Sequence, residues 1–277
     1  MQDALPNCAE LVRTADRDRY LAALFAPAEC RDALFALYAF NVEIGRVREV
    51  AREPLPGEIR LQWWSDVLSG DRSGEAAANP TAAALLSTIE RYGLPASSLL
   101  DLIETRRFDL YDEPMAAISD LESYAKRTSS AVIALAAQIL GVEAQPAAGS
   151  AGMAHGITGL IRAFPLHAAR RQLYVPTELL EGHGVSARDI FSGRSSDGVN
   201  AALAELHNLA RRHLAAAAVP LMALPRIVDP AFLPVALVRP WLDRLDHSDA
   251  FTPADISPWR RQWLIWRAAR NPARIAG

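Results

Sequence analysis

The chain has 277 residues, a formal net charge of −3 and 51% hydrophobic residues, a composition typical of a globular protein with a sizeable core. The small acidic excess gives no sign of a nucleic-acid partner. Cys8 and Cys30 form neither a C-x-x-C pair nor a disulfide framework, so we expect a reducing compartment. Residues 1–20 carry four acidic side chains and no long apolar run, which argues against a signal or transit peptide. No uncharged apolar stretch approaches the ~18 residues needed to span a bilayer.

Almost every segment has the pattern of an α-helix, because apolar residues recur at helical spacing and proline or glycine punctuates the pattern. Ala and Leu dominate while Val and Ile are scattered, so no strand is predicted. Residues 71–78 and 141–149 are predicted loops, and residues 119–122 a capping box. The predicted helices run approximately over residues 27–52, through 61 to 70, and over 79–93, 95–111, 119–141, 150–168, 197–224, 231–245 and 258–270, with a short one after residue 186.

Common catalytic motifs are missing from the chain. There is no G-x-S-x-G sequence, and the glycines are isolated rather than grouped in a phosphate loop. His207 and His213 are six residues apart, which does not place them on one helix face for a metal ion. We interpret the histidines as surface or hydrogen-bonded residues. No D-x-x-x-D pair that could hold Mg²⁺ lies within a long apolar helix. The acidic pairs present are interpreted as caps and solvated faces: Asp16/Asp18, Asp109/Asp112 and Asp243/Asp246.

Two regions of the chain resemble the two motif regions of the squalene/phytoene synthase family. The first is Phe25–Glu49, and the second is Gly156–Pro176, which ends in the sequence LYVP. The similarity extends over most of the chain. It implies an all-α, trans-prenyl-synthase-like bundle around a central apolar cavity, formed as a single domain by residues 1–277. The cavity or ligand-binding candidates that it implies are Tyr38, Asn41, Asp109, Arg162 and Tyr174.

The departures from the family pattern concern its two aspartate-rich motifs. The first motif falls on residues that include Gly45, Arg46 and Glu49, and the second has Ala163 and His167 where aspartates belong. Ionising a prenyl diphosphate requires metal ions, and these ions need several carboxylate oxygens. We therefore expect no catalytic residue, no bound metal and no cofactor. Mg²⁺ enters only under the alternative, an active head-to-head prenyltransferase of the squalene or phytoene synthase type that uses prenyl diphosphates.

Within the family, one branch is most similar in pattern. The sequences FNVE at 40–43 and QWW at 62–64, with the degraded motifs, resemble the mitochondrial complex I assembly factor and its alphaproteobacterial relatives. Just upstream of the second aspartate-rich motif, the positions of the family's Gln and Asn fall on Gly156 and Gly159. The resemblance implies a non-catalytic role in biogenesis of respiratory complex I (NADH dehydrogenase), with complex I subunits or assembly intermediates as partners. It also implies a bacterial cytoplasmic location, with peripheral attachment to the inner membrane left open. A third hypothesis is a carrier that binds a lipid or isoprenoid in the old cavity.

The last predicted helix carries three tryptophans on one face: Trp259, Trp263 and Trp266, at positions i, i+4 and i+7. Arginines surround them. This pattern suits a membrane interface or a partner groove. The alternative, which we favour from the sequence, is that the tryptophans pack the helix onto the bundle.

Three further arginines could approach the expected cavity. Arg106 and Arg107 could bind an anionic head group at its mouth together with Arg162. We favour a simpler interpretation, in which Arg106 and Arg107 lie on a solvated helix face with weak local ion pairs. For Arg162 we expect a buried structural role.

Overall fold

The computed structural model describes residues 4–51 and 53–277, and side chains from residue 7 onward apart from that of residue 52. Within these residues the secondary structure is helical and contains no strand, so the all-α prediction is confirmed. The predicted helix end at Arg52 lies outside the described residues. The α-helices are α1 (Ala4–Ala15), α2 (Arg17–Ala23), α3 (Ala28–Gly45), α4 (Val47–Val50), α5 (Pro54–Ser69), α6 (Ser73–Ala78), α7 (Pro80–Tyr92), α8 (Ala96–Arg107), α9 (Ile118–Ala125), α10 (Ala131–Ile139), α11 (Gln145–Arg162), α12 (Phe164–Ala169), α13 (Thr177–Gly182), α14 (Ala187–Phe191), α15 (Asp197–Met222), α16 (Asp229–Phe232), α17 (Val238–Leu245) and α18 (Pro258–Arg270).

Several helix ends follow directly from local chemistry. The side chain of Asn79 accepts a hydrogen bond from the N–H of Ala82 at 3.0 Å and caps α7, as predicted. Gly93 ends that helix in the left-handed conformation with φ of 60°, which glycine adopts at little cost. The last helix, α18, begins and ends where the sequence predicts it.

Three local predictions are wrong. The loop predicted over 141–149 ends early, because α11 already begins at Gln145. Residues 73–78 form α6 instead of a loop, because Ala76 is buried and Glu75 accepts a hydrogen bond from the indole of Trp63 at 2.9 Å. These contacts stabilise a helix that the sequence pattern indicates only weakly. The cap predicted at 119–122 lies two residues earlier, where the carboxylate of Asp120 accepts from the N–H of Ala117 at 2.9 Å.

Three predicted long helices are interrupted. A π-helical turn at Lys126–Ser130 separates α9 from α10, and a 3-10 segment, Leu233–Leu237, separates α16 from α17. The helix predicted over 150–168 breaks at Ala163 between α11 and α12. Pro165 lies in the first turn of α12 and has no N–H to continue the ladder of α11. The interruption at Ala163 coincides with the second motif position.

The first motif helix is also interrupted at a motif position. The helix α3 ends at Gly45 and α4 begins at Val47, while Arg46 between them has φ of −99° and ψ of 9°. The positions predicted for both motifs therefore lie at helix junctions. In an intact helix, side chains four residues apart would share one face, and this regular spacing is lost at both junctions.

The chain divides into two compact units. The first unit comprises residues 1–111, 131–145 and 224–233, and the second comprises 112–130, 146–223 and 234–277. Each is built from separate stretches of the chain, and the predicted single domain over 1–277 stays a prediction. None of the helices within the described ranges has the length and apolarity needed to cross a bilayer.

Each unit has its own core. In the first unit, α3 is buried along most of its length and packs against α1 and α7, as expected for a helix that is apolar on most sides. Phe40 meets Trp64 edge to face, with ring centres 4.9 Å apart. In the second unit, α11 packs closely on residues 125–130 through Gly152 and Gly156. These two helices, α3 and α11, carry the motif regions.

Candidate functional site

The first motif positions lie at the surface end of α3 and in α4. Arg46 donates from Nε to Glu49 Oε2 at 2.9 Å, and their side chains are 52% and 36% exposed. Such an exposed pair stabilises by at most ~1 kcal/mol. Arg48 donates to the backbone carbonyl of Leu110 at 3.0 Å. The acidic residue that remains in the motif is therefore engaged with a neighbouring arginine.

An arginine stands beside the position where the family's first aspartate falls. A Cβ atom built on Gly45 would lie 3.7 Å from Cζ and Nη2 of Arg106. Arg106 also donates from Nη1 to Asp109 Oδ2 at 3.1 Å, and Asp109 is only 4% exposed. The structure thus brings together two of the predicted positions, Gly45 and Asp109, through a guanidinium group.

The predicted solvated face at Arg106 and Arg107 is wrong, although the predicted local ion pairs are confirmed. Their side chains are only 20% and 22% exposed. Arg107 pairs with Glu104 at 2.8 Å and also with Glu58. Partial burial strengthens these ion pairs relative to fully exposed ones.

The residues at the first motif do not fit the Mg²⁺ ions on which the family's chemistry depends. Mg²⁺ prefers carboxylate oxygens in octahedral geometry, whereas Glu49, Asp109 and Glu43 each pair with an arginine, the last with Arg60 at 3.4 Å. Guanidinium groups repel a cation. No cluster of three or more His, Cys, Asp or Glu side chains arranged for a metal occurs within residues 4–51 and 53–277.

Two ligand-binding candidates of the first unit lie inside its core. Tyr38 is 2% exposed and Asn41 is 9% exposed. The guanidinium of Arg19 lies 5.7 Å from the ring centre of Tyr38, and burial raises the pKa of the Tyr38 hydroxyl. A neutral, buried phenol of this kind contributes packing; the ligand contacts predicted for both residues stay predictions.

His167, one of the predicted second-motif positions, lines a very small and mostly apolar pocket in the second unit. The rings of His167 and Tyr174 are 4.5 Å apart, and Tyr174 lies 5.7 Å from Tyr124. The pocket lined by His167 and Tyr174 has a volume of about 10 Å³, so little that it approaches the minimum for one water molecule. His167 therefore fills space with its neighbours, and its correspondence to an aspartate of the family stays a prediction.

Arg162 lies at a larger, more polar cavity of the same unit. Its guanidinium stacks 3.7 Å from the ring centre of Trp241, a cation–π contact, so the predicted structural role has a partner. The side chain is half-buried, so the predicted burial of Arg162 is confirmed only in part. The cavity has a volume of about 270 Å³, and its lining includes Arg162, Asn200, His207, Asp246, Asp249 and Thr252.

A histidine–aspartate pair, which the sequence analysis missed, lines this cavity. Nδ1 of His207 is 2.7 Å from Oδ1 of Asp246, which also pairs with Arg211. Burial lowers the pKa of His207, outweighing the opposite effect of Asp246. Nε2 of His207 is buried and has no hydrogen-bond partner among the described residues. Asp246 itself is exposed, in agreement with its interpretation as part of a solvated face, and no spacing pattern links positions so far apart.

Two further histidines of the second unit agree with the interpretation as hydrogen-bonded residues. His183 lies 2.7 Å from Glu205, and His213 lies 2.7 Å from Glu122. In both pairs the ring nitrogen faces a carboxylate oxygen that can accept a hydrogen bond from its N–H.

The tryptophans of α18 do not pack the helix onto its unit. Trp259, Trp263 and Trp266 are 81%, 49% and 45% exposed, whereas Ile265 and Ala268 are buried. The packing interpretation favoured from the sequence is therefore wrong.

Comparisons with known proteins match this architecture. The sequence pattern of the squalene/phytoene synthase family matches residues 12–267. The chain is 32% identical over 245 residues to NADH dehydrogenase (ubiquinone) complex I, assembly factor 6, of Rattus norvegicus, covering 87% of this chain and 74% of that protein. It is 24% identical to 15-cis-phytoene synthase of Synechococcus elongatus over 212 residues, 71% of this chain and 68% of that protein.

A solved structure has the same fold at low sequence identity. A dehydrosqualene synthase crystallised with a ligand superposes with a TM-score of 0.83 at 16% identity, covering 97% of this chain and 96% of that one. The family pattern spans nearly the whole chain, including both helix junctions at which the predicted motif positions lie. From its first helix to its last, the chain therefore belongs to the squalene/phytoene synthase family.

Proposed function

We propose that the protein acts in assembly of respiratory complex I and does not catalyse prenyl transfer. The absence of prenyl transfer is supported by the position of Arg106, whose guanidinium lies beside Gly45 and pairs with Asp109. The first part is supported by the 32% identity to complex I assembly factor 6 of Rattus norvegicus. A scaffold that keeps the family fold is suited to binding without metal chemistry, because the described residues form no cluster of carboxylates that could hold Mg²⁺.

The proposal includes partners and a location. Complex I subunits or assembly intermediates are the proposed protein partners, and the cytoplasmic side of the bacterial inner membrane is the proposed place of action. A lipid or isoprenoid is the proposed ligand. Native mass spectrometry of gently purified protein tests the ligand: a co-purifying lipid mass supports it, and a ligand-free protein in several mild detergents contradicts it.

The assembly role is tested by deleting the gene in its own organism. We expect NADH:quinone oxidoreductase activity and the amount of assembled complex I on native gels to fall, while succinate dehydrogenase activity, the matched control, stays unchanged. Re-expression of the wild-type chain should restore both readouts. Normal complex I in the deletion strain would contradict the proposal.

An active prenyltransferase is the second candidate, supported by the similarity to 15-cis-phytoene synthase. Purified protein incubated with farnesyl or geranylgeranyl diphosphate and Mg²⁺ tests it directly. We expect no pyrophosphate release above a heat-treated control. Release that depends on Mg²⁺ and on the prenyl substrate would reverse the ranking of the two functions.

A further inference from the structure

The helix α18 presents its tryptophans directly away from the second unit. Successive residues of an α-helix are rotated by ~100°, so Trp259, Trp263 and Trp266 form one ridge. Ile265 and Ala268, the buried residues of the helix, lie on the opposite side. A row of three exposed indoles is unusual, since large apolar groups that stay exposed together mark interaction surfaces.

The charge of α18 is opposite to that of the whole chain. Its 13 residues contain four arginines and no acidic residue, whereas the chain as a whole has a net charge of −3. Arg267 lies 4.3 Å from the ring centre of Trp263, and Arg270 lies 5.0 Å from that of Trp266. The ridge is therefore apolar along its crest and positively charged along its length.

We infer that α18 docks in the plane of an anionic lipid surface. Indole rings favour the membrane–water interface, and arginines next to them gain from negatively charged head groups. A helix of 13 residues is only about 20 Å long, too short to span the hydrocarbon core. An apolar ridge with a basic border is the pattern of helices that lie within the interface.

Charge complementarity favours a lipid surface over a protein groove. The four arginines run along the whole ridge with no acidic residue among them, which complements the continuous negative charge of a surface of anionic head groups. This inference deepens the proposed function, on which it rests for naming the inner membrane as the surface.

Vesicle co-sedimentation of the full-length protein tests the inference. Vesicles of phosphatidylcholine alone are compared with vesicles that contain phosphatidylglycerol as well. We expect binding to the anionic vesicles to be at least about tenfold tighter. The variant Trp259→Gln/Trp263→Gln should lose at least about tenfold of that affinity. Because both side chains are already exposed, thermal unfolding should be nearly unchanged.

A matched control substitutes exposed apolar residues elsewhere in the same unit. Val219 and Met222 are 81% and 59% exposed, and the variant Val219→Gln/Met222→Gln should bind vesicles like the wild type. The variant Arg260→Gln/Arg267→Gln should lose the preference for anionic lipid. Brominated lipids should quench the fluorescence of the wild type but less that of the tryptophan variant.

The inference would be overturned if the wild-type protein did not bind anionic vesicles. Equal binding by the wild type and the Trp259→Gln/Trp263→Gln variant would overturn it as well. If the wild type bound native membranes but no pure-lipid vesicles, and the tryptophan variant lost that binding, the ridge would be assigned to a protein partner instead. The assay contains no complex I. A deletion strain with normal complex I would therefore refute the assembly role while leaving a positive vesicle result intact.

Discussion

A Cβ atom at Gly152 would lie 2.2 Å from the Cα atom of Ser130. The backbone of α11 therefore rests directly on the π-helical turn Lys126–Ser130. The contact continues one helical turn later, where a Cβ atom at Gly156 would lie 3.0 Å from the Cβ of Ser129. Ser130 reinforces it by donating to the carbonyl of Gly149 at 2.8 Å. Only glycine allows this approach, because any side chain at 152 would overlap backbone atoms.

The variant Gly152→Ala should therefore destabilise the protein. Overpacking of this kind costs ~1–3 kcal/mol, and here the obstacle is backbone that cannot rotate away. Gly159→Ala is the matched control on the same helix, since nothing lies within 4 Å of a Cβ there; it should be neutral or stabilise by up to ~1 kcal/mol. Urea unfolding followed by circular dichroism measures both. Equal effects of the two substitutions would contradict the close contact.

Much of the fold was predictable from local sequence. Proline and glycine determine where helices such as α7 and α18 begin or end, because these residues act on their own backbone. The interruptions were harder to predict. The break at Ala163 depends on Pro165, which is visible in the sequence, but the helix α6 depends on Glu75 meeting Trp63, a contact between residues that only the folded chain brings together.

The candidate site was predictable only in part. The family pattern located Gly45 and Ala163, but the sequence did not reveal that Arg106 stands beside Gly45 or that Arg162 stacks on Trp241. Those contacts join residues far apart in the chain, and periodicity carries no information about them. The exposure of the α18 tryptophans was mispredicted for the same reason: a stripe at helical spacing indicates one face but not what that face contacts.

The stacking of Arg162 on Trp241 should couple the two residues energetically. A double-mutant cycle with Arg162→Met and Trp241→Leu is expected to give a coupling of ~1–2 kcal/mol, because the pair is close and partly desolvated. The cycle with Arg270→Met and Trp266→Leu serves as the exposed control, at 5.0 Å, and should give at most ~1 kcal/mol. Chemical unfolding provides the free energies. A smaller coupling at Trp241 than at Trp266 would contradict a stabilising stack.

The lowered pKa of His207 should make stability depend on pH. Burial disfavours the protonated ring in the folded chain, while the unfolded chain titrates near pH ~6.5. Below that pH the unfolded state binds more protons, so the free energy of unfolding decreases as pH falls from ~6.5 toward the lower folded pKa. Above pH ~7.5 the contribution of His207 is constant. Arg211 and His207 lower the pKa of Asp246, although burial acts in the opposite direction. The contribution of Asp246 to the stability of the protein is therefore lost only in more acidic solution.

Urea midpoints between pH 5.5 and 8 check this dependence on His207. The variant His207→Gln should show a shallower fall of the midpoint below pH 6.5 than the wild type, although it is less stable at pH 8. His247→Gln, a substitution of an exposed histidine, should keep the wild-type slope. A slope that is unaltered in His207→Gln would mean that another group causes the pH dependence.

Restoring a carboxylate at the first motif should not restore a metal site. Gly45→Asp is sterically tolerated, since a Cβ there makes an ordinary 3.7 Å contact with Arg106, and the introduced carboxylate should pair with that guanidinium. The pair offsets the unfavourable position of an acidic residue at a helix C-terminus, which costs ~0.3–1 kcal/mol. We therefore expect Gly45→Asp alone to change stability little. In the Arg106→Gln background, where this pair cannot form, Gly45→Asp should cost ~1 kcal/mol relative to Arg106→Gln alone.

Melting temperatures measured without Mg²⁺ and at Mg²⁺ concentrations that increase in 10-fold steps complete this test. Because Glu49 already pairs with Arg46, Gly45→Asp still lacks the several free carboxylate oxygens that Mg²⁺ requires. Its melting temperature should not depend on Mg²⁺, and it should release no pyrophosphate from prenyl diphosphates. Ca²⁺ is the control for nonspecific ionic effects. Mg²⁺-specific stabilisation of Gly45→Asp would mean that the arginines give way to a metal, and that one substitution separates this chain from metal binding.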